Sequence, residues 1–214
     1  MQRLARPLDL LVDHPAAAHR LAEMRDSSTK SDRFRELMGQ LSCFVAYEAL
    51  RDMASEPVMV TTPVGRAPSR SVSENILVVP VLRAGLAMVP GVQAIAPGTE
   101  VAHLGMRRNE STLMASTYLD GLPDDLSGRR VVICDPMLAT GGSLRAACRL
   151  VAERHPARMQ ALCIVAAEEG LRRFHEEFPH VGVAFAALDP SLDERGFIIP
   201  GLGDAGDRLF GPAS

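Results

Sequence analysis

Between residues 58 and 188, short unbroken apolar runs alternate with stretches of helical periodicity. The runs at 58–64, 76–82, 101–106, 130–134, 159–167 and 181–188 are predicted strands, several rich in β-branched residues. The segments 86–95, 143–154 and 169–178 between them are predicted helices. Strands that stay apolar on both sides of the pleat, separated by helices, indicate a parallel sheet covered on both faces. The fold class is therefore α/β. Few other architectures accept this order.

The flanks differ from the middle. Asp13 and Pro15 resemble a helix start, giving a short helix over 14–26. After a polar break at 27–31, Phe34, Leu37, Met38, Leu41, Phe44, Val45 and Leu50 recur at three- and four-residue spacing. That spacing predicts an amphipathic helix ending near Met53, its stripe read as core. Residues 109–118 are polar, extended or mobile. Residues 189–214, rich in Gly, Pro and Asp, are expected to form a long irregular segment, a kind that in compact domains is usually functional or disordered. The chain reads as one domain over 1–214, with a helical part at 1–55 and a tail at 189–214.

Composition removes several classes of function. With 214 residues, 47% hydrophobic and 23% charged, the chain can bury a core without staples. The net charge of −3 argues against a nucleic-acid partner, and no run approaches the ~20 apolar residues of a membrane span. Arg6, Asp9 and Asp13 interrupt the start of the chain, so no secretory leader is expected and the location is read as cytoplasmic. Cys43, Cys134, Cys148 and Cys163 form no C-x-x-C pair and read as free thiols. His14 and His19, like His175 and His180, lack zinc-protease spacing, and no metal ligand is assigned to the chain. Glu168, Glu169, Glu176 and Glu177 read as a solvated acidic face.

The sharpest local signal lies at 131–143. A strand ends at Cys134 and Asp135, and a turn of Pro136, Met137, Leu138, Ala139, Thr140, Gly141 and Gly142 leads into a helix at Ser143. Glycines let the backbone approach an anion, and the N–H groups and dipole of a helix start then meet it. Thr140 and Ser143 add hydroxyl donors. Asp135 sits at the carboxyl end of a strand, where open α/β sheets bind ligands. The Walker pattern is absent. Gly201 to Gly206 fits G-x-G-x-x-G, but only eight residues follow it, too few for a dinucleotide fold.

The stretch from Asp135 to Ser143 resembles the phosphoribosyl pyrophosphate (PRPP) loop of type I phosphoribosyltransferases. With Pro136 where most of that superfamily has a second acid, it resembles the uracil phosphoribosyltransferase branch. Val79 to Gly85 resembles the family's pyrophosphate loop. Gly105 to Glu110 resembles its second arginine segment, and Gly196 to Arg208 its uracil-binding tail. Arg33 to Glu36 and Tyr47 to Ala49 fit as well, so the likeness runs nearly the whole chain in order. The chain departs at Phe197, where Tyr is usual, at Glu169, where many members have Pro, at 111–116, and around Lys30 and Asp32.

The resemblance implies a parallel, doubly covered sheet with N-terminal helices and a C-terminal hood over the base. It implies transfer of a phosphoribosyl group from PRPP to uracil, giving UMP and pyrophosphate. Asp135, Arg83 and Arg108 would be the catalytic residues, the arginines suiting a polyanionic leaving group as fork-shaped donors. The donor would be held by those three together with Pro136, Met137, Leu138, Ala139, Thr140, Gly141, Gly142, Ser143 and Asp204. Uracil would be read by Ile198, Gly203, Asp204 and Ala205, largely through backbone groups. A backbone acceptor at N3–H and a donor at O4 would reject cytosine. Mg²⁺ would enter bound to PRPP and water, GTP is a possible activator, and a homodimer or larger homo-oligomer is expected. Two other readings stay open: a phosphoribosyltransferase for another base, and a non-enzymatic regulator that binds nucleotides or RNA.

Overall fold

The computed structural model describes residues 9–108 and 115–211, the side chains of Arg108 and Ala115 excepted. Its centre is a sheet built from β1 (Leu10–Leu11), β4 (Ile76–Leu82), β5 (Glu100–Val101), β6 (Leu104–Arg108), β7 (Ala115–Asp120), β8 (Arg130–Cys134), β10 (Arg158–Leu162) and β12 (Gly182–Phe185). The order is β1-β12-β10-β8-β4-β6-β7, with β5 also on β4. Every pairing is parallel except β6 with β7.

The pleat explains why β4 and β8 are apolar at successive positions. Ile76, Val78, Val132 and Cys134 face one layer, and Leu77, Val79, Val81, Val131 and Ile133 face the other. The first layer holds α1 (Pro15–Arg25), α2 (Ser31–Ala49), α3 (Val89–Ile95) and α6 (Ala205–Phe210). The second holds α4 (Gly142–Ala152) and α5 (Glu168–Glu177). The doubly covered parallel sheet is thus observed. Cys134, Cys148 and Cys163 are buried free thiols, and burial pushes the Cys134 thiol up to about 12. Among the described residues no helix is long and apolar enough to cross a membrane.

Several expected boundaries change for identifiable reasons. Helix α2 ends at Ala49, short of Met53, because the Ala49 carbonyl accepts from Arg130 Nη2 (2.9 Å) and Met53 N–H turns to Leu50. The expected helix over 86–95 is a 3-10 turn, Ala84–Met88, followed by α3, with Pro90 in its first turn. The expected strand 58–64 is one arm of a hairpin, β2 (Ser55–Thr62) with β3 (Gly65–Val72), and Val64 is its exposed tip. The run 101–106 is split between β5 and β6.

The runs 159–167 and 181–188 are each divided as well. β9 (Met137–Leu138), β11 (Val165–Ala167) and β13 (Ala187–Asp189) form a second parallel sheet, β13-β11-β9, just beyond β8, β10 and β12. Pro136 sits at the step. It has no N–H for the ladder, and its carbonyl accepts from both Ile164 and Val165.

The tail is more ordered than an irregular segment. β14 (Ser191–Leu192) pairs with β15 (Ile198–Ile199), and α6 follows. Arg208 ties this region to the N-terminal helices. Its Nη1 donates to Met24 O and Leu202 O, its Nη2 to Asp26 O, and its guanidinium lies 4.2 Å from the Phe34 ring centroid. The expected solvated glutamates are mostly paired, Glu177 with Arg149, Glu176 with Arg172 and Glu169 with Arg173. His14 caps α1 through its ring, and His175 Nε2 lies 2.8 Å from Asp9.

Candidate active site

The step between the two sheets leaves a ledge at the carboxyl end of β8, and a cavity of about 240 Å³ opens over it. One wall is the turn into α4: Asp135, Pro136, Met137, Ala139, Thr140, Gly141, Gly142, Ser143 and Leu144. The other is the tail: Gly196, Phe197, Ile198, Gly203, Asp204, Ala205 and Gly206. Ala84 adds a third edge.

The turn is shaped by close packing. Gly141 is left-handed at φ 77° and is the N-cap of α4 with no side-chain capping bond, so the helix start is open to an anion. The turn rests on Gly170 of α5. A Cβ there would lie 1.9 Å from the Ala139 carbonyl oxygen and 2.8 Å from that of Leu138, so only glycine lets α5 come this close. Leu138 itself is buried in the core and does not line the cavity. Of the phosphate-turn residues read from sequence, it alone stands apart.

Asp135 faces the cavity from the last position before the step. Burial pushes its carboxyl up to about 7, while a hydrogen bond from Met137 N–H opposes the rise. A group poised near neutrality can hold sugar hydroxyls in either protonation state. As an anion it would stabilise positive charge beside it.

On the tail side, Asp204 is the N-cap of α6 and accepts from Asp207 N–H at 2.9 Å. Asp193 organises the approach to the cavity. Its Oδ1 accepts from Arg195 N–H (2.9 Å) and Phe197 N–H (2.8 Å), and the Arg195 guanidinium lies 5.1 Å from the Phe197 ring centroid.

Arg83 stands at the rim rather than in the lining, with Nη2 3.4 Å from Asp207 Oδ1. The Leu82–Arg83 peptide is cis. The Arg108 side chain lies outside the described residues, as do 109–114 of the polar segment, whereas 115–120 form β7. The cavity thus gathers Asp135 to Ser143 apart from Leu138, together with Ile198, Gly203, Asp204 and Ala205. Sequence reasoning gave no individual site role to Ala84, Leu144, Gly196 or Gly206, small or apolar residues whose only signal was lying inside or beside the motifs. Gly170 carried no signal, because its requirement arises from a contact about thirty residues away in the chain.

The family model described as uracil phosphoribosyltransferase matches residues 11–212. The protein of Kineococcus radiotolerans named uracil phosphoribosyltransferase is 51% identical over 205 residues, covering 94% of this chain and 97% of its own. The solved structure of the AQ2163 protein from Aquifex aeolicus is 38% identical, with a TM-score of 0.89, and the likeness covers 94% of this chain and 97% of that one. A hypoxanthine phosphoribosyltransferase from Trypanosoma cruzi shares the fold alone, at 15% identity and a TM-score of 0.50, over 74% of this chain and 76% of that one.

Proposed function

The chain belongs to the uracil phosphoribosyltransferase family, and from that membership we propose that it transfers the phosphoribosyl group of PRPP to uracil, releasing pyrophosphate and forming UMP. The observation that carries this reading is the cavity bounded by the phosphate turn on one side and the tail on the other. A donor and an acceptor base can meet there with water displaced.

In this reading the 5′-phosphate lies in the turn from Ala139 to Ser143, against the open start of α4. Asp135 holds ribose hydroxyls and faces the positive charge that grows on the sugar as C1–O breaks. Uracil N1 bonds to C1 as pyrophosphate leaves toward Arg83 and Arg108, and the N1 proton passes to the departing pyrophosphate or to solvent. Pro136, Met137 and Asp204 complete the donor side. The backbone at Ile198, Gly203 and Ala205 reads the base, and the Phe197 ring packs beside it.

The donor set suits Mg²⁺ brought in on substrate oxygens. Asp135 is followed by Pro136, and among the described residues no group of three or more His, Cys, Asp or Glu is placed to hold an ion. When bound, Mg²⁺ neutralises charge on the pyrophosphate. Asp135 and Asp204 are the carboxylates in the cavity wall that would meet it through water.

A homo-oligomer is part of the proposal. An apolar depression of about 670 Å³ between α2 and α3, edged by Gly39, Cys43, Leu86, Pro90 and Phe210, supports it. GTP would act through that assembly, and the compartment would be the cytoplasm.

UMP formation from labelled uracil, PRPP and Mg²⁺ tests the reading, with cytosine, orotate and hypoxanthine as parallel bases and GTP present or absent. UMP from uracil alone is expected. Product from hypoxanthine, or none at all, would overturn it.

A further inference from the structure

A half-buried ion pair that plays no part in the proposed chemistry, with Arg25 22% exposed, meets the base-side wall at its turn. Asp189 ends β13 with its side chain 6% exposed, and Arg25 lies in the last turn of α1. Their contact is two-pronged: Nη1 to Oδ2 at 2.8 Å and Nη2 to Oδ1 at 2.7 Å. Both partners also bind one residue, Gly201. Asp189 Oδ2 accepts from Gly201 N–H (2.9 Å), and Arg25 Nη1 donates to the Gly201 carbonyl oxygen (2.7 Å).

Gly201 is where the wall turns. It lies between Ile198 and Gly203, both on the cavity, and has φ 55°. A Cβ would stand 2.1 Å from the Ile198 carbonyl oxygen. With both its polar backbone groups bound, Gly201 has little freedom to rotate, and its neighbours inherit that direction. Neither Arg25 nor Asp189 lines the cavity.

An ion pair drawn largely out of water is a poor way to gain stability, since an apolar pair of similar volume often does as well. Its value is geometric: a planar fork meeting a carboxylate fixes angles that apolar packing leaves loose. We infer that Asp189 and Arg25 are positioning residues for base recognition, holding Gly201 so that Ile198 and Gly203 meet the base in one orientation. This rests on the reading that the cavity takes uracil. The first helix thereby becomes part of the base site.

The test is steady-state kinetics of Arg25→Ala, Arg25→Lys and Asp189→Asn, with thermal unfolding of each and cytosine as a competing base. The KM for uracil should rise roughly tenfold or more in Arg25→Ala and Asp189→Asn, the scale of a misplaced contact remote from the chemistry. The KM for PRPP should stay within about twofold. Arg25→Lys, which keeps the charge but not the fork, should recover part of the loss. A uracil KM that does not move, or that moves only together with the PRPP KM, kcat and melting temperature, would overturn the inference. If Arg25→Ala does not fold, Arg25→Lys and Asp189→Asn decide by the same criteria. Wild-type protein assayed alongside separates the two levels. If it forms UMP while the variants keep its uracil KM, this inference alone falls. If it forms none, the underlying reading falls and takes the inference with it.

Discussion

Arg83, directly after β4, directs its guanidinium at Asp207 on α6, with Nη2 3.4 Å from Oδ1. Both side chains are nearly half exposed, 45% and 47%, so the contact is a solvated one worth about 0–1 kcal/mol. A pyrophosphate would compete for that guanidinium with ease. The link therefore joins the two rims of the cavity without locking them.

Arg83→Ala is expected to lower kcat/KM for PRPP by about a hundredfold, the scale of removing one donor to a developing anion. The melting temperature should move by no more than about 4 °C. Kinetics beside a thermal scan checks this. Equal losses in both would make Arg83 a structural residue.

Asp135→Asn should keep 5′-phosphate affinity while losing rate, which single-turnover measurements can separate. Its stability has a definite pH signature. The wild-type carboxyl is raised in the folded state from 3.8 to about 7, so the folded protein holds the proton more tightly than the unfolded chain. The associated stabilisation is full below the unfolded value and is lost as pH rises through about 7. The variant does not titrate there. Its melting temperature relative to wild type should rise between about pH 4 and 7 and level off above. A difference independent of pH would mean that burial does not govern this group.

Gly170→Ala should be costly although the residue does not line the cavity. The new methyl would stand 1.9 Å from the Ala139 carbonyl oxygen, a backbone atom that cannot step aside alone. A loss of about 1–3 kcal/mol in denaturant unfolding is expected, together with weaker PRPP binding as the turn shifts. Unchanged stability would show that α5 can slide.

Phe197→Tyr and Phe197→Ala separate the ring from an added hydroxyl. The ring lines the cavity beneath the Arg195 guanidinium. Tyr should leave kcat/KM for uracil within about threefold, while Ala should lower it about tenfold or more through lost apolar contact. A large gain from Tyr would instead assign the hydroxyl a direct role.

Much of this architecture is legible in the order of the residues. Residues 76–82 and 130–134 are apolar at nearly every position, because both faces of the central strands are covered. The turn after Asp135 is legible for a related reason: strand, acid, glycines and helix follow one another locally. The hairpin β2–β3 is not legible as a pair, since both its faces are largely exposed and no alternation marks them. The division of 159–167 and 181–188 is hidden because it is set by contacts between strands, such as those of Ile164 and Val165 N–H with the carbonyl of Pro136, between β8 and β9. The contact between Arg25 and Asp189 joins residues 164 positions apart, beyond any local pattern.

The two walls of the cavity are built from hydrogen-bonded units that share no strand: the phosphate turn continues β8 and β9, while the base-side wall hangs from the separate β14–β15 pair. A chain built on this plan can keep one donor while its acceptor changes. Substitutions at Ile198, Gly203 or Ala205 would rewrite which base is accepted, while the turn from Ala139 to Ser143 would be left intact.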